Sequence, residues 1–299
     1  MELKQLIYFI EVAEREHMSD AAQQLNVAQS AVSRQIRNLE EELKVELFER
    51  VGRRVRLLPV GELVLEEAKA IISQTEHMKN RVAEYAAPET GTIHVGFPTS
   101  LATTLLPPLI SSFTAAYPGI EFQLRQGSYQ YLLDAVRNRE LNLAFIGPVI
   151  DNDPLIQSSS LFHEPLYLLV SKGHALASQE SVSLETLKEE AFILFPKGYI
   201  LEEVVSNACR SVGFEPNVNT EGEDMDAIKG MVAAGIGITL LPESAVSQYH
   251  SPFLICIPLK DPKVTRSVGI ITPRKRQLSA SEKLFHDFVL AEFSESYEE

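Results

Sequence analysis

The chain has 299 residues, enough for two domains, and 45% of them are hydrophobic, enough for each domain to bury a core. Its mean hydropathy is −0.02, and no apolar run reaches the roughly 18 residues that a membrane span requires. The formal net charge of −14 speaks against a protein that binds nucleic acid over its whole surface. Most of that acidity lies outside the N-terminal part, because residues 1–87 contain 12 Lys and Arg against 15 Asp and Glu, whereas residues 88–299 contain 15 against 26.

The first twenty residues do not have the pattern of a signal peptide, because charges interrupt them and their apolar residues recur at helical spacing. Cys209 and Cys256 lie far apart, each in an apolar stretch. We expect two buried free thiols in a reducing compartment, with a redox role as the alternative. The sequence therefore predicts a cytoplasmic protein.

Residues 19–39 have the pattern of a helix-turn-helix. A short helix is predicted to begin at Ser19, whose hydroxyl can accept a hydrogen bond from a free backbone N–H. Asn26 follows in the turn, where it can adopt a left-handed conformation. A second helix is predicted over residues 29–43, with apolar residues at 4-3-4 spacing on its inner side.

The outer side of this second helix is polar in its first two turns, where a recognition helix meets base edges in the major groove. Arg can bind guanine and Gln can bind adenine through two hydrogen bonds, and Ser can make short contacts to phosphates or bases. The predicted DNA contacts of this helix are Gln29, Ser30, Ser33, Arg34 and Arg37. The same residue types are common on solvated helices, so this helix alone leaves both interpretations open.

A basic hairpin is predicted directly afterwards, over residues 51–59. Gly52 supplies the bend, and Val55 and Leu57 alternate with arginines as in a strand. A basic hairpin that follows a helix-turn-helix is placed as a wing to hold phosphates or the minor groove. Its candidate DNA contacts are Arg50, Arg53, Arg54 and Arg56.

One long helix is predicted from Pro59 to Tyr85. A stripe of mainly apolar residues runs along it at the 4-3 spacing of a coiled-coil seam. The stripe consists of Val64, Ala68, Ile71, Thr75, Met78, Val82 and Tyr85. We predict that it pairs with the same helix of a second copy, and packing against this chain's own domains is the alternative.

After Gly91, apolar runs of strand type alternate with helical patterns, which indicates βαβ units and a mainly parallel sheet. The chain is predicted to cross twice between two lobes, which creates a cleft with a hinge like that of periplasmic solute-binding proteins. The predicted fold is α/β, with a winged helix-turn-helix over 1–58, a linker helix over 59–88 and a two-lobed α/β effector domain over 89–299. The first lobe covers 91–162 and 267–299, and the second covers 163–266.

The ends of the parallel strands should meet at one edge of the sheet, where such folds bind ligands. A helix predicted to open near Ser100 offers a carboxylate site at its N-terminus. The candidate effector contacts are Thr99, Ser100, Leu101, Gln126, Ser128, Gly147, Phe195 and Lys197. Each hydroxyl can instead cap a helix, and Lys197 and Arg125 can pair with a dicarboxylate or remain solvated. Most of the acids between 221 and 226 are expected to face water or pair with Lys229.

The motifs of common enzyme classes are missing from the sequence. The seven histidines are scattered, and there is no Cys pair at metal-binding spacing, no nucleophile elbow and no phosphate-binding glycine loop. We therefore predict no catalytic residue, no metal and no cofactor. A cytoplasmic small-molecule-binding protein or an enzyme on a periplasmic-binding-like fold is the alternative, but neither accounts for the first 58 residues.

The N-terminal pattern resembles the LysR-type transcriptional regulators, and the resemblance extends over the whole chain. It is carried by Ala21, Ala22, Leu25, Val27, the run 29–40, Leu47-Phe48-Glu49-Arg50, Leu58-Pro59 and Gly61. The resemblance implies promoter DNA, a small-molecule effector and RNA polymerase as partners, a homodimer or homotetramer, and no membrane. This chain departs from the family pattern at Ala28, where many members have a capping serine, and at Ser30, which is often proline.

Four segments are similar to family members that control glutamate synthesis. These segments are residues 14–17, 96–102, 124–129 and 220–230. The similarity implies a dicarboxylate effector such as 2-oxoglutarate or glutamate, and target genes in nitrogen or glutamate metabolism.

Overall fold

The computed structural model describes residues 1–52, 54–86, 89–247 and 251–294. The chain divides into two compact units, residues 1–87 together with 138–140, and the remaining residues. No helix among the described residues is both long enough and apolar enough to cross a membrane.

The first unit contains four helices and one hairpin among its described residues. They are α1 (Leu3–Arg15), α2 (Met18–Gln24), α3 (Gln29–Leu43), β1 (Phe48–Val51), β2 (Arg54–Leu57) and α4 (Pro59–Ala86). The predicted turn between α2 and α3 is confirmed, because Asn26 has a φ of 52° in the left-handed region. The predicted cap at Ser19 is wrong. Since α2 begins one residue earlier, at Met18, Ser19 lies inside its first turn and His17 occupies the cap position.

The predicted hairpin after α3 is also confirmed, although its first strand begins at Phe48 rather than Val51. β1 pairs antiparallel with β2, and Gly52 has a φ of +66° at the bend. The backbone N–H of Val55 donates to the carbonyl of Glu16 at 2.9 Å, which ties the hairpin to the end of α1. The hairpin is therefore held at a fixed place beside the three helices.

The core of the first unit forms where α1, α2 and α3 cross. Phe9 and Val12 of α1 are fully buried against Ala21 of α2 and against Val32 and Leu39 of α3. The small Ala21 allows the helices to approach closely. This packing leaves the opposite side of α3 free for other contacts.

Gly61 lies at a close approach between α4 and the segment before the hairpin. A Cβ at this position would lie 2.3 Å from the carbonyl oxygen of Leu47 and 2.7 Å from the side chain of Leu57. We expect Gly61→Ala to lower the free energy of unfolding by about 1–3 kcal/mol, because a backbone atom cannot yield as a side chain can. Thermal unfolding checks this, with Gly230→Ala as the matched control, since a Cβ at Gly230 meets no atom within 4 Å. Equal stability of the two variants would contradict the expectation.

The second unit contains six helices and ten strands among its described residues. In chain order they are β3 (Gly91–Phe97), α5 (Leu106–Ala116), β4 (Ile120–Gln126), α6 (Tyr129–Arg137), β5 (Leu143–Ile146), β6 (Ile156–Ser171), β7 (Val182–Ser183), β8 (Ala191–Leu194), α7 (Ile200–Ser211), β9 (Asn217–Glu221), α8 (Met225–Ala233), β10 (Thr239–Pro242), α9 (Glu243–Val246), β11 (Leu254–Lys260), β12 (Thr265–Pro273) and α10 (Ala280–Ser294). Short 3-10 turns lie at Thr99–Leu101, Ala175–Ser178 and Leu184–Leu187.

The sheet of this unit is mixed, which corrects the prediction of a mainly parallel sheet. The strand order is β4-β3-β5-β12-β6-β11-β7, with β10 also on β6, and β8 pairs separately with β9. β3 is parallel to β4 and β5, but β12 is antiparallel to β5 and β6, and β6 is antiparallel to β10 and β11. The reason is that β6 and β12 each run through both lobes in opposite directions.

The longer of the two crossing strands, β6, passes from one hydrophobic core to another along its length. On β6, Leu161 packs in a core with Phe113 and Phe285, whereas Leu166 packs in a separate core with Phe192. On β12, Val268 belongs to the first of these cores. The unit therefore has two lobes that share β6 and β12 as their hinge.

Candidate nucleic-acid interface and effector cleft

The recognition side of α3 is open to solvent. Gln29, Ser30, Arg34 and Arg37 are exposed and Ser33 is half-buried. The side-chain amide of Gln29 donates to the hydroxyl of Ser33 at 3.0 Å. Ala28 occupies the cap position and makes no side-chain cap, as its departure from the family pattern predicted. The helix can therefore present donors and acceptors to a DNA groove.

The hairpin adds positive charge beside this helix. Arg50, Arg54 and Arg56 are exposed, and Arg53 lies outside the described residues. Arg56 forms an exposed ion pair with Glu49 at 3.8 Å, which is weak in solvent and can be exchanged for a phosphate. A carboxylate oxygen of Glu40 accepts from the backbone N–H of Leu47 at 2.8 Å and so fixes the start of the hairpin on α3. Helix α3 is thus linked by a direct hydrogen bond to the residue that precedes β1.

The predicted dimer seam on α4 divides into a buried and an exposed part. Ala68 is 1% exposed in the core of its own unit, and Val64 packs against that core. Ile71, Met78 and Val82 are exposed, and the hydroxyl of Thr75 donates to the carbonyl of Ile71. Ala68 and Val64 therefore pack on this chain, as the alternative interpretation had it. The side chain of Tyr85 lies outside the described residues.

The second unit contains a cavity of about 600 Å³ between its two lobes. Six of the eight candidate effector contacts line it, namely Thr99, Ser100, Gln126, Ser128, Gly147 and Phe195. The side-chain amide of Gln126 donates to the hydroxyl of Thr99 at 2.8 Å. The hydroxyl of Ser128 accepts from the backbone N–H of Tyr131 at 3.2 Å, so Ser128 also caps α6.

The other two candidates, Leu101 and Lys197, are not cleft residues. Leu101 is fully buried in the core of the first lobe, and Lys197 is exposed and absent from the cavity wall. The predicted helix N-terminus at Ser100 is also wrong. Residues 99–101 form a separate 3-10 turn and α5 begins only at Leu106, because the chain turns before the long helix starts.

The cation of the cleft is Arg266, which sequence reasoning missed. It lies on β12 directly opposite Glu164 of β6, and its side chain is 1% exposed. Its Nε and Nη2 each lie 2.7 Å from the same Glu164 oxygen, and Nη2 donates to the hydroxyl of Ser100 at 2.8 Å. Burial lowers the pKa of this guanidinium, while the Glu164 carboxylate acts in the opposite direction. Arg266 therefore joins the hinge to a candidate effector contact.

Three carboxylates of the second lobe also line the cleft. They are Glu203 of α7, and Glu223 and Asp224 before α8. Asp224 accepts from the backbone N–H groups of Asp226 and Ala227, so it caps α8. As expected, Glu223 and Asp224 are exposed to water although they border the cleft, and Asp226 pairs with Lys229 at 3.3 Å.

The two cysteines occupy different environments. Cys209 is buried as expected, but Cys256 is exposed on β11, which corrects the expectation that both are buried. Desolvation raises the pKa of the Cys209 thiol to about 12 and that of the Cys256 thiol to about 11. Since thiolate is the reactive form, neither sulfur is activated near neutral pH. Among the described residues no group of His, Cys, Asp and Glu is arranged to hold a metal ion.

The fold and these sites define a winged helix-turn-helix DNA-binding protein with a two-lobed ligand-binding domain. Residues 3–62 match the family "Bacterial regulatory helix-turn-helix protein, lysR family", and residues 86–294 match "LysR substrate binding domain". The chain belongs to the LysR family of transcriptional regulators. Its relatives are regulators, and it is a regulator and not an enzyme.

Individual relatives agree with this assignment. The chain is 51% identical over 98% of both chains to the transcriptional dual regulator GltC of Bacillus subtilis, and 35% identical over 99% of its length to the uncharacterized regulator YybE of the same organism, all of which is covered. It has the fold of the LysR family regulator CbnR, with a TM-score of 0.79 at 24% identity over 98% of this chain and 99% of that one. CbnR in complex with its target DNA gives a TM-score of 0.77 at 25% identity, over 97% and 99%.

Proposed function

We propose that the chain controls genes of nitrogen or glutamate metabolism in response to a small carboxylate, such as 2-oxoglutarate or glutamate, bound between its lobes. The observation that carries the ligand proposal is the contact of Arg266 with Ser100 at the floor of the cleft. A buried guanidinium next to a hydroxyl is suited to a carboxylate group. The relation to GltC supports the proposed gene targets.

The proposed mechanism is a shift between two states of the lobes. A ligand can shift such an equilibrium only by binding one state more tightly than the other. Ser100 and Phe195 face the cavity from different lobes, so a ligand that contacts both favours the state in which they are close. The chain then binds promoter DNA differently with and without its effector.

Ser100→Ala tests the ligand site. We expect this variant to bind its effector about 1–2 kcal/mol more weakly, because a hydrogen bond near a charged group is lost. Its affinity for promoter DNA without effector should not change. Calorimetric titration of the full chain with 2-oxoglutarate and with glutamate measures the first effect, and Ser112→Ala, an exposed position on α5, is the control. An unchanged effector affinity would remove Ser100 from the site.

We further propose that two copies pair through the exposed part of the α4 stripe, at Ile71, Thr75, Met78 and Val82. Exposed apolar residues at coiled-coil spacing are suited to a second copy of the same helix. Tandem half-sites on the promoter would then be bound by a homodimer or a homotetramer. RNA polymerase is a proposed further partner on the DNA, and the cytoplasm is the proposed location.

The double variant Met78→Glu and Val82→Glu tests the pairing. We expect it to weaken dimerisation by about 2 kcal/mol or more, because two carboxylates would lose water in the seam. Sedimentation velocity over a range of concentrations measures the change. Glu76→Gln, an exposed neighbour on α4, serves as the control. A dimer of unchanged stability would place the interface elsewhere.

A further inference from the structure

We infer that Glu40 is a positioning residue for DNA binding, which holds the hairpin of β1 and β2 at the angle where its arginines reach the DNA backbone. Glu40 lies in the last turn of α3, beyond the predicted base contacts of that helix, which end at Arg37. Its own side chain need not touch DNA. The inference rests on the predicted phosphate contacts of the hairpin and adds the residue on which their placement depends.

Four backbone N–H groups of the connection between α3 and the hairpin converge on Glu40. Its carbonyl oxygen accepts from Lys44, the residue that ends α3 with a left-handed φ of 58°, and from Val45 at 3.2 Å. Its side-chain Oε1 accepts from Leu47 at 2.8 Å and from Phe48 at 3.4 Å. One residue of α3 therefore determines the path of the chain up to the first residue of β1.

The carboxylate of Glu40 is the tie to the hairpin that a substitution can remove. The other ties join main-chain atoms, since Val55 donates to the carbonyl of Glu16 and Leu58 to the carbonyl of Leu47, each at 2.9 Å. Among the residues that the structure describes, Glu40 is the one side chain outside segment 46–58 that hydrogen-bonds to it. Glu40 is half-buried, and hydrogen bonds to a charged acceptor are stronger than those to a neutral one.

Loss of this carboxylate should loosen the hairpin without detaching it from the unit. Leu47 is fully buried, and the ring of Phe48 contacts that of Phe9 with 5.4 Å between centroids. These apolar contacts keep the segment on the three helices, but they are not directional, whereas two hydrogen bonds to one oxygen fix the direction of the backbone. The exposed Arg54 depends on that direction, because it lies on the return strand of the hairpin.

The test measures binding of the full chain to a labelled DNA duplex of random sequence over a range of salt concentrations, because phosphate contacts are independent of sequence. Glu40→Ala is expected to bind about five- to tenfold more weakly at about 0.1 M salt, and the slope of log K against log salt should fall by about one, the value of one lost phosphate contact. By charge alone, removal of a carboxylate favours binding to DNA, so weaker binding would not be a charge effect. Glu41→Ala, which removes the same charge at an exposed neighbour on α3, is the matched control and should keep the slope.

Two further variants separate positioning from a general loss of stability. Glu40→Gln keeps an oxygen that can accept from both N–H groups, so it should retain the slope of the unaltered chain. Arg54→Ala should weaken binding about fivefold in the unaltered chain but about twofold or less when residue 40 is alanine, because a displaced hairpin has already lost the contact. If thermal unfolding shows that Glu40→Ala does not fold, Glu40→Asp takes its place, since it keeps the charge and withdraws the oxygen by one methylene.

Each failure has a distinct meaning. An effect of Arg54→Ala that is equal in both backgrounds, or a slope that Glu40→Ala leaves unchanged, would overturn the role of Glu40. A loss in Glu40→Gln as large as that in Glu40→Ala would also overturn it, because the two hydrogen bonds would not be what Glu40 contributes. If Arg54→Ala had no effect in the unaltered chain, the predicted phosphate contact would be wrong and the inference would fail with it.

Discussion

Arg34→Ala is expected to weaken binding to promoter DNA by about 1–3 kcal/mol at a fixed salt concentration. Arg34 is exposed in the second turn of α3, on the side opposite the buried Val32 and Ile36. An arginine at this place can form two hydrogen bonds to a guanine edge, which alanine cannot replace. Fluorescence anisotropy with a labelled promoter fragment measures the loss, and effector binding to the same variant should not change.

The control for this prediction is Arg15→Ala. Arg15 also lies in the first unit, but it ends α1 and forms an ion pair with Glu11. Its removal subtracts the same charge at a site that the DNA is not expected to contact. An Arg34 variant with unaltered affinity would refute the assignment of α3 as the recognition helix. If the variant loses the same affinity for every DNA sequence, Arg34 contacts a phosphate rather than a base.

Arg266→Gln is expected to lower the free energy of unfolding by about 3–5 kcal/mol. The substitution leaves the Glu164 carboxylate buried at 4% exposure without its counter-charge. That carboxylate would keep the backbone N–H of Ser244, at 2.8 Å, as a donor. One neutral donor does not compensate a buried negative charge. Chemical denaturation of the full chain measures the change.

The double variant Glu164→Gln with Arg266→Gln separates loss of charge balance from loss of packing. Because it removes both charges together, we expect it to be more stable than Arg266→Gln alone. If Arg266→Gln were as stable as the original chain, the Arg266–Glu164 ion pair would not have the stabilising role expected of it in the hinge. A double variant less stable than the single one would also contradict it.

The N-terminal unit could be predicted well because its signals are local. Each prediction there uses residues that lie close together in the sequence. These predictions are the apolar spacing of α3, the turn at Asn26 and the hairpin bend at Gly52. The exact start of α2 was less predictable, since a hydroxyl at Ser19 can cap a helix but did not decide where this one begins.

The cleft was predicted in part, and the missing part depends on long-range pairing. Thr99, Ser100 and Gln126 follow or end strands of the first lobe, so local pattern placed them at one edge. Arg266 reaches Ser100 only because β12 pairs with β6 and the two strands cross between lobes, a register that spacing along the chain does not reveal. Strand pairing over a hundred residues is decided by tertiary packing.

The dimer stripe shows a different limit of sequence reasoning. A 4-3 spacing identifies one side of a helix but does not say what covers it. In this chain the N-terminal part of the stripe, at Ala68, is covered by the helices of its own unit, whereas Ile71, Met78 and Val82 are exposed.

We propose that a carboxylate ligand in the cleft changes how this chain binds promoter DNA. Footprinting of the full chain on the promoter region of the glutamate synthase genes, with increasing L-glutamate or 2-oxoglutarate, tests it most directly. We expect a change in the protected region or its occupancy, and we expect that change to need a higher ligand concentration in Ser100→Ala. A footprint that stays the same at ligand concentrations that saturate the cleft by calorimetry would contradict it.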